Sequence, residues 1–263
     1  MGLMKAILIC IAVMVVVMSC KNNQALVSEK ASNRGEWNLT FYDDCTKDWS
    51  KLWFLDGLKA SVENSDSGMH FKAGPEAEND AHHAVLWTKE SYSGDLKIKF
   101  DYTRTDTANK YVNILYIQAT GDGEGDYVED IYQWKNKREV PAMRKYFENL
   151  DVFHISFAAF GNTGDGFHYV RARRYPKMED QSFKNTQIAP SYDMQGFFET
   201  GKTYHITAIK TTEKLSFKME HDGKEQYFEW DISDIAPINI GRIGLRHMYT
   251  RSARYSNFKI YTK

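Results

Sequence analysis

Residues 96 to 103, LKIKFDYT, alternate apolar and polar side chains without a break. In an extended chain Leu96, Ile98, Phe100 and Tyr102 fall on one face, and Lys97, Lys99, Asp101 and Thr103 on the other. A period of two excludes an amphipathic helix and predicts a strand with one solvated face. Short turn-bounded segments of the same kind recur. YVNILYIQA (111–119) is apolar on both faces apart from Asn113 and Gln118, which predicts a central strand packed on each side. TYHITAIKT (203–211) and KLSFKME (214–220) follow, and His221-Asp222-Gly223 is a tight-hairpin signal leading into EQYFEWD. No helical segments alternate with these strands, so the pattern predicts an all-β antiparallel sandwich or barrel. Aromatic residues make up 14% of the 263 residues; a β-rich core or a sugar-stacking surface would each use them.

The first twenty residues place Lys5 before an apolar run of roughly a dozen residues, shorter than the ~20 a membrane-spanning helix needs. Residues 1–19 are therefore expected to be a signal peptide. The run ends in Val17-Met18-Ser19-Cys20, which resembles the bacterial lipobox, in which the cysteine is lipidated and becomes the mature N-terminus. Met18 departs from that motif, and an ordinary signal cleaved nearby is the alternative. On the lipobox reading Cys20 carries the lipid, residues 20–40 form a flexible polar tether, and residues 41–263 form one folded domain. The protein is then expected in the cell envelope, facing the outer membrane or periplasm. Cys10 lies within the leader, leaving Cys45 as the one thiol of the folded body and predicting a buried, structural cysteine. Lysine plus arginine (34) nearly balance aspartate plus glutamate (35), which argues against a nucleic-acid partner and leaves room for a local basic patch.

Chemistry concentrates in FHISFAAFGNTGDGFHYVRARRYP (153–176), two strands joined by a glycine-rich turn. Strand parity puts Tyr169, Arg171, Arg173 and Tyr175 on one face of the second strand, and His154 and Ser156 on the polar face of the first. Guanidinium groups pair bidentately with carboxylate or sulfate while tyrosine rings stack on sugars, so this face suits an anionic glycan. A cation–π stack on a solvated face, or pairing with the acidic 121–130 loop, would equally account for it. The same groups suit β-elimination, in which a cation neutralises a uronate carboxylate and a histidine or tyrosine moves the proton. His154, His168, Tyr169 and Arg171 are the catalytic candidates, with His82, Arg173 and Tyr175 beside substrate. The long 121–151 connection carries Trp134, expected over a binding face, and AMRKYFENL predicts about two helical turns.

Other constellations are weaker. GDGEGDYVED (121–130) opens like a calcium loop, but Tyr127 and Gln133 stand where an EF-hand needs glycine and a bidentate glutamate. A structural calcium stays unassigned, and no other metal or cofactor is expected. Glu225, Tyr227, Glu229 and Asp231 share a strand face that a glycoside hydrolase could use, although a solvated edge is the simpler account. The eight histidines form no zinc-ligand spacing.

The C-terminal GRIGLRHMYTRSARYSNFKIY is similar to the closing strands of concanavalin A-like and laminin G-like sandwiches. Together with DAHHAVLW and the FHISFAAF to GFHYVRARR pair, it makes residues 41–263 resemble the YesU-type family of galectin-like proteins from bacterial polysaccharide-utilisation clusters. The resemblance implies a two-sheet antiparallel jelly roll acting in breakdown of acidic, often rhamnose-containing, ulvan- or rhamnogalacturonan-like polysaccharide. Family-like blocks hold His82, Trp87, His154, Ser156, His168, Arg171, Arg246 and His247; the family supplies no established catalytic residues. Trp87, Arg246 and His247 therefore join Trp134, His82, Arg173 and Tyr175 as substrate-binding candidates. The expectation is a monomeric lipoprotein that meets the membrane through its lipid and acts on an acidic polysaccharide or oligosaccharide, as a lyase if catalytic. A non-catalytic glycan binder is the alternative, then a glycoside hydrolase.

Overall fold

A computed structural model describes residues 35–178, 180–193 and 196–263. Leu39–Thr262 form one compact unit. Its strands are β1 (Asn38–Asp43), β2 (Trp53–Asp56), β3 (Ser61–Ser65), β4 (Gly68–Lys72), β5 (Ala84–Ser93), β6 (Leu96–Arg104), β7 (Asn113–Gly121) and β8 (Leu150–Phe160). There follow β9 (His168–Tyr175), β10 (Gln187–Asp193), β11 (Thr203–Lys210), β12 (Lys214–His221), β13 (Lys224–Asp231), β14 (Ile240–His247) and β15 (Ser252–Thr262). One α-helix, α1 (Met143–Asn149), lies in the connection from β7 to β8 after a 3₁₀ segment, Ile131–Arg138.

The strands form two antiparallel sheets. One is eight-stranded in the order β13-β12-β11-β6-β15-β4-β3, with β1 also pairing β15; the other is seven-stranded, β10-β9-β8-β7-β14-β5-β2. This is the two-sheet jelly-roll architecture the sequence predicts. The core lies between the inner faces, where Ile98, Phe100, Ile206 and Tyr255 of the first sheet join Leu115, Ile155, Phe157 and Leu245 of the second. β6 keeps the alternation of its sequence, turning Lys97, Lys99 and Asp101 away from that core. β7 sits between β8 and β14 and is buried on both sides: Leu115 and Ile117 enter the inter-sheet core, Ile114 and Tyr116 a second apolar cluster. The second cluster explains why 111–119 reads as apolar throughout.

Asp222 (φ 49°) and Gly223 (φ 70°) form a two-residue turn between the paired residues His221 and Lys224. The acidic face of β13 is an exposed edge on which Lys214 pairs with Glu229 (2.9 Å) and Lys218 with Glu225 (3.1 Å). Cys45 is buried, and desolvation pushes its thiol pKa far above the ordinary value, as befits a structural cysteine. His82 and His83 precede β5, because Asn79 accepts a hydrogen bond from Ala81 N (3.1 Å) and caps a 3₁₀ turn over Asp80–His82. Cys20 and the leader lie outside the described residues. Among the described residues no helix is long and apolar enough to cross a membrane.

On the outer face of the seven-stranded sheet the Trp87 ring lies over Gly244, where an added Cβ would fall 2.4 Å from the ring. Gly244→Ala is expected to cost about 1–3 kcal/mol by overpacking, read as a lower urea midpoint. An unchanged midpoint would mean that the indole is not held in place.

Candidate functional site

The 122–149 connection folds back over the outer face of the seven-stranded sheet and is pinned there by one carboxylate. Asp56 Oδ2 accepts hydrogen bonds from Trp87 Nε1 (2.8 Å), Arg138 Nε (2.6 Å) and Tyr146 OH (2.9 Å). All four residues are buried, and they come from β2, β5, the 3₁₀ segment and α1. Trp87, Tyr116 and Tyr146 stack in near-parallel planes, with centroids 5.3 to 6.4 Å apart. Ile131 and Trp134 complete the cover over Phe54, Val85 and Ile114. Arg246 of β14 lies over the Tyr146 ring at 4.5 Å and donates to Pro141 O (2.7 Å).

Beside this cover, register decides what meets. β8 and β9 pair His154 with Arg173, Ser156 with Arg171, and Val152 with Tyr175. Directly opposed residues share a face, so His154 points to the same side as the arginines. Its Nδ1 is 2.8 Å from Tyr175 OH and its Nε2 is 2.7 Å from Ser156 Oγ. Tyr175, His154 and Ser156 thus form one buried hydrogen-bonded chain.

Burial holds the His154 pKa well below the usual imidazole range, and Arg173, Arg246 and Arg171 lower it further. The ring is therefore neutral at pH 7. Burial likewise raises the Tyr175 pKa well above the usual phenol value, so both partners are uncharged proton donors and acceptors. Among the described residues none of the three arginines has a carboxylate partner. Arg173 donates to Phe183 O (3.2 Å) and Thr186 Oγ1 (3.0 Å), and Arg171 Nε donates to Ser191 Oγ (3.0 Å) while its guanidinium covers the Tyr169 ring at 4.4 Å. Arg246 and Tyr116 are fully buried, and the guanidinium faces the Tyr116 hydroxyl. Arg171 and Tyr169 are half-buried, as are Met143, Phe147 and Phe183 around them. The result is a cationic, aromatic-rimmed surface opening at half-buried Arg171 and Tyr169, with the Tyr175–His154–Ser156 chain buried beneath it.

The structure gathers His154, Ser156, Tyr169, Arg171, Arg173 and Tyr175 on one face, with Arg246 under the cover beside them. It places the other candidates elsewhere. His168 has the opposite parity and packs edge-on against Phe160 at 4.4 Å. His247 faces the inter-sheet core, stacking on Phe71 at 4.4 Å and meeting Tyr255 OH at 2.8 Å. His82 staples its loop, its Nδ1 accepting from Glu76 N (2.9 Å). Trp87 and Trp134 are buried under and within the cover, so neither presents a ring to a sugar. Asp122 accepts from Glu124 N (2.9 Å) and Asp126 pairs with Lys137, so the acidic loop serves its own turn, away from the arginines. Asp56, Arg138, Tyr116 and Tyr146 escaped the sequence reading; an aspartate ending the apolar run WFLD was the available signal. A separate depression between Arg174, Met178, Gln181 and Ile235 contains one charged side chain, Arg174, which already pairs with Asp151.

Residues 44–260 match the family described as Domain of unknown function (DUF1961). The chain belongs to that family. Among solved structures, a Bacillus subtilis protein of unknown function with a galectin-like fold is similar over 86% of this chain and 98% of its own, at TM-score 0.67 and 17% identity. Winged bean acidic lectin, solved with methyl-α-D-galactose, is similar over 86% and 98% at TM-score 0.58 and 11% identity. Lectin II from Ulex europaeus is similar over 87% and 100% at TM-score 0.53 and 10% identity. No curated protein matches the sequence. These likenesses establish for this DUF1961 chain a galectin-like, legume-lectin-like jelly roll.

Two outcomes follow from the buried groups. Asp56→Asn would leave the Arg138 guanidinium buried without its counter-charge and is expected to cost about 3–5 kcal/mol. Proteolysis and amide exchange should rise first within 122–149, whereas unchanged protection there would mean the cover is held by something else. Separately, burial is the leading cause of low pKa values at His154, at His83 (about 2) and at His247 (about 3), against an ordinary 6.5. A folded pKa below the unfolded one means that the unfolded chain binds the proton first as pH falls. Stability from these groups is complete above pH 6.5 and is lost below it, by about 4 kcal/mol per pH unit for the three together. Urea unfolding between pH 6 and 4.5 reads this slope; a slope smaller by about a third would show one imidazole to be charged in the fold, and a flat profile all three.

Proposed function

We propose that this DUF1961 protein binds an acidic, uronate-bearing oligosaccharide at the opening over Ser156 and Arg171. One observation carries the reading: Arg171, Arg173 and Arg246 surround a neutral His154, and among the described residues none of the three is ion-paired with a carboxylate. In the folded protein that excess positive charge is available for an anion supplied from outside. Arg171 is the half-buried member, and among the described residues its Nη1 and Nη2 have no hydrogen-bond partner, so it offers a bidentate fork to a carboxylate. Half-buried Tyr169, Phe147 and Phe183 add apolar ring surface for one side of a pyranose, although Arg171 and Arg173 already lie over the Tyr169 and Phe183 rings. A sugar ligand on winged bean lectin, which has a similar fold, supports a glycan as the ligand class. The wider role is breakdown of uronate- and rhamnose-containing polysaccharide of the ulvan or rhamnogalacturonan kind, at the cell envelope through a lipid on Cys20. The leader sequence and the resemblance to proteins of polysaccharide-utilisation clusters support that role.

A second reading is β-elimination, favoured by the Tyr175–His154–Ser156 chain. Here Arg171 neutralises the uronate, the neutral imidazole takes the C5 proton by way of Ser156 Oγ, and the electron pair left on C5 forms the C4–C5 double bond. The C4–O bond breaks, and the leaving oxygen takes a proton from the Tyr169 hydroxyl.

Calorimetric titration with oligouronates and with neutral oligosaccharides tests the first reading. Uronate binding should weaken with salt and fall about 10- to 100-fold in Arg171→Ala, the loss of a charge-assisted pair. Equal affinity for neutral sugars, or an unaffected Arg171→Ala, contradicts it. For the second reading, the ultraviolet band of an unsaturated uronate should grow with the native protein and grow more slowly in Tyr175→Phe, which no longer holds His154 Nδ1, while that variant still binds.

A further inference from the structure

We infer that the opening receives the end of a glycan chain and excludes its interior, a deduction that rests on the acidic-glycan reading of the site. A polysaccharide threaded across a sheet needs a way in and a way out. Among the described residues, the outer face here is closed toward β2. Across the strands, Phe54, Trp87, Gly244 and Tyr116 form a row that continues through His154 to Arg173. Trp87 and Tyr116 are fully buried in it beneath Ile131, Trp134 and Tyr146, so the path toward β2 is shut. Along β9 the same face runs Tyr169, Arg171, Arg173, Tyr175, and exposure falls from half-buried at the first two to 7% and 0% at the last two. Phe147 and Phe183 meet at 4.8 Å over that end, and Phe147 O accepts from Lys177 N at 2.6 Å.

The closed end is also cationic. Arg173 lies there, and the buried Arg246 guanidinium, which faces Tyr116 OH, adds a second positive charge nearby. The group that enters deepest is therefore an acidic terminal sugar. The way out is aromatic: Phe167, 41% exposed, stacks on Tyr169 at 5.8 Å and extends the face beyond the opening. Successive sugars would leave across Tyr169 and then Phe167, using ring faces that tolerate different linkages.

The experiment is calorimetric titration of the full chain with oligogalacturonates of increasing defined length and with the polymer. Chain-end binding predicts one protein per glycan chain at every length, with affinity per chain levelling off after the first few sugars. Phe167→Ala should then weaken longer oligomers about 2- to 10-fold and leave the dimer unchanged. Capacity that rises in proportion to chain length overturns the inference while leaving the acidic-glycan reading intact. Binding of no uronate ligand at any length overturns both.

Discussion

The carboxylate of Asp56 joins parts of the chain that are far apart in sequence. Its Oδ2 collects Trp87 from β5, Arg138 from the 3₁₀ segment and Tyr146 from α1, the last two 82 and 90 residues away. A fully desolvated ion pair adds little net stability compared with an apolar replacement, since desolvating both charges offsets their attraction. It does fix geometry, because any other placement of the connection strands a buried charge. With this clasp in place the outer face of the seven-stranded sheet is covered over β2, β5 and β7, and among the described residues half-buried side chains of that face lie on β9. The shape of the proposed site follows from where the clasp ends.

The electrostatics of the opening follow from the same closure. Arg246 stacks on Tyr146 and bonds Pro141 O, so its charge is brought next to β7 and β8 by the cover. Arg173 is held from the other side by Phe183 and Thr186. Between them His154 stays neutral, hydrogen-bonded on both ring nitrogens, and the burial and cationic setting that keep it unprotonated also weaken it as a base. Desolvation strengthens each of these interactions. An anion reaching Arg171 would meet three guanidinium groups that, among the described residues, have no ion-pair partner.

Strand identity was readable wherever one residue pattern decided it. The alternation in LKIKFDYT, the two-sided burial of YVNILYIQA and the Asp222-Gly223 turn are local, and so is the parity that puts Tyr169, Arg171, Arg173 and Tyr175 together. Meetings between strands were not readable. That His154 contacts Tyr175 depends on the register of β8 against β9, and sequence alone leaves register undetermined to within a residue or two. His168 and His247 have the chemistry of site residues but the opposite parity or the wrong sheet face. Trp87 and Trp134 look like sugar-stacking rings until the cover is in place; their indole N–H groups bond Asp56 and Val128 O, and their faces are spent on packing. The cover itself was legible only as a long connection with a short helix, because a contact between Asp56 and Arg138 leaves no local signature.

The account stands on where an acidic sugar sits. A crystal structure of the full chain soaked with a short oligogalacturonate tests this most directly. The account predicts the terminal carboxylate within hydrogen-bond distance of the Arg171 guanidinium, with the chain leaving over Tyr169 and Phe167. A ligand bound on the lysine-bearing face of the eight-stranded sheet, with the Arg171 opening unoccupied, would contradict it.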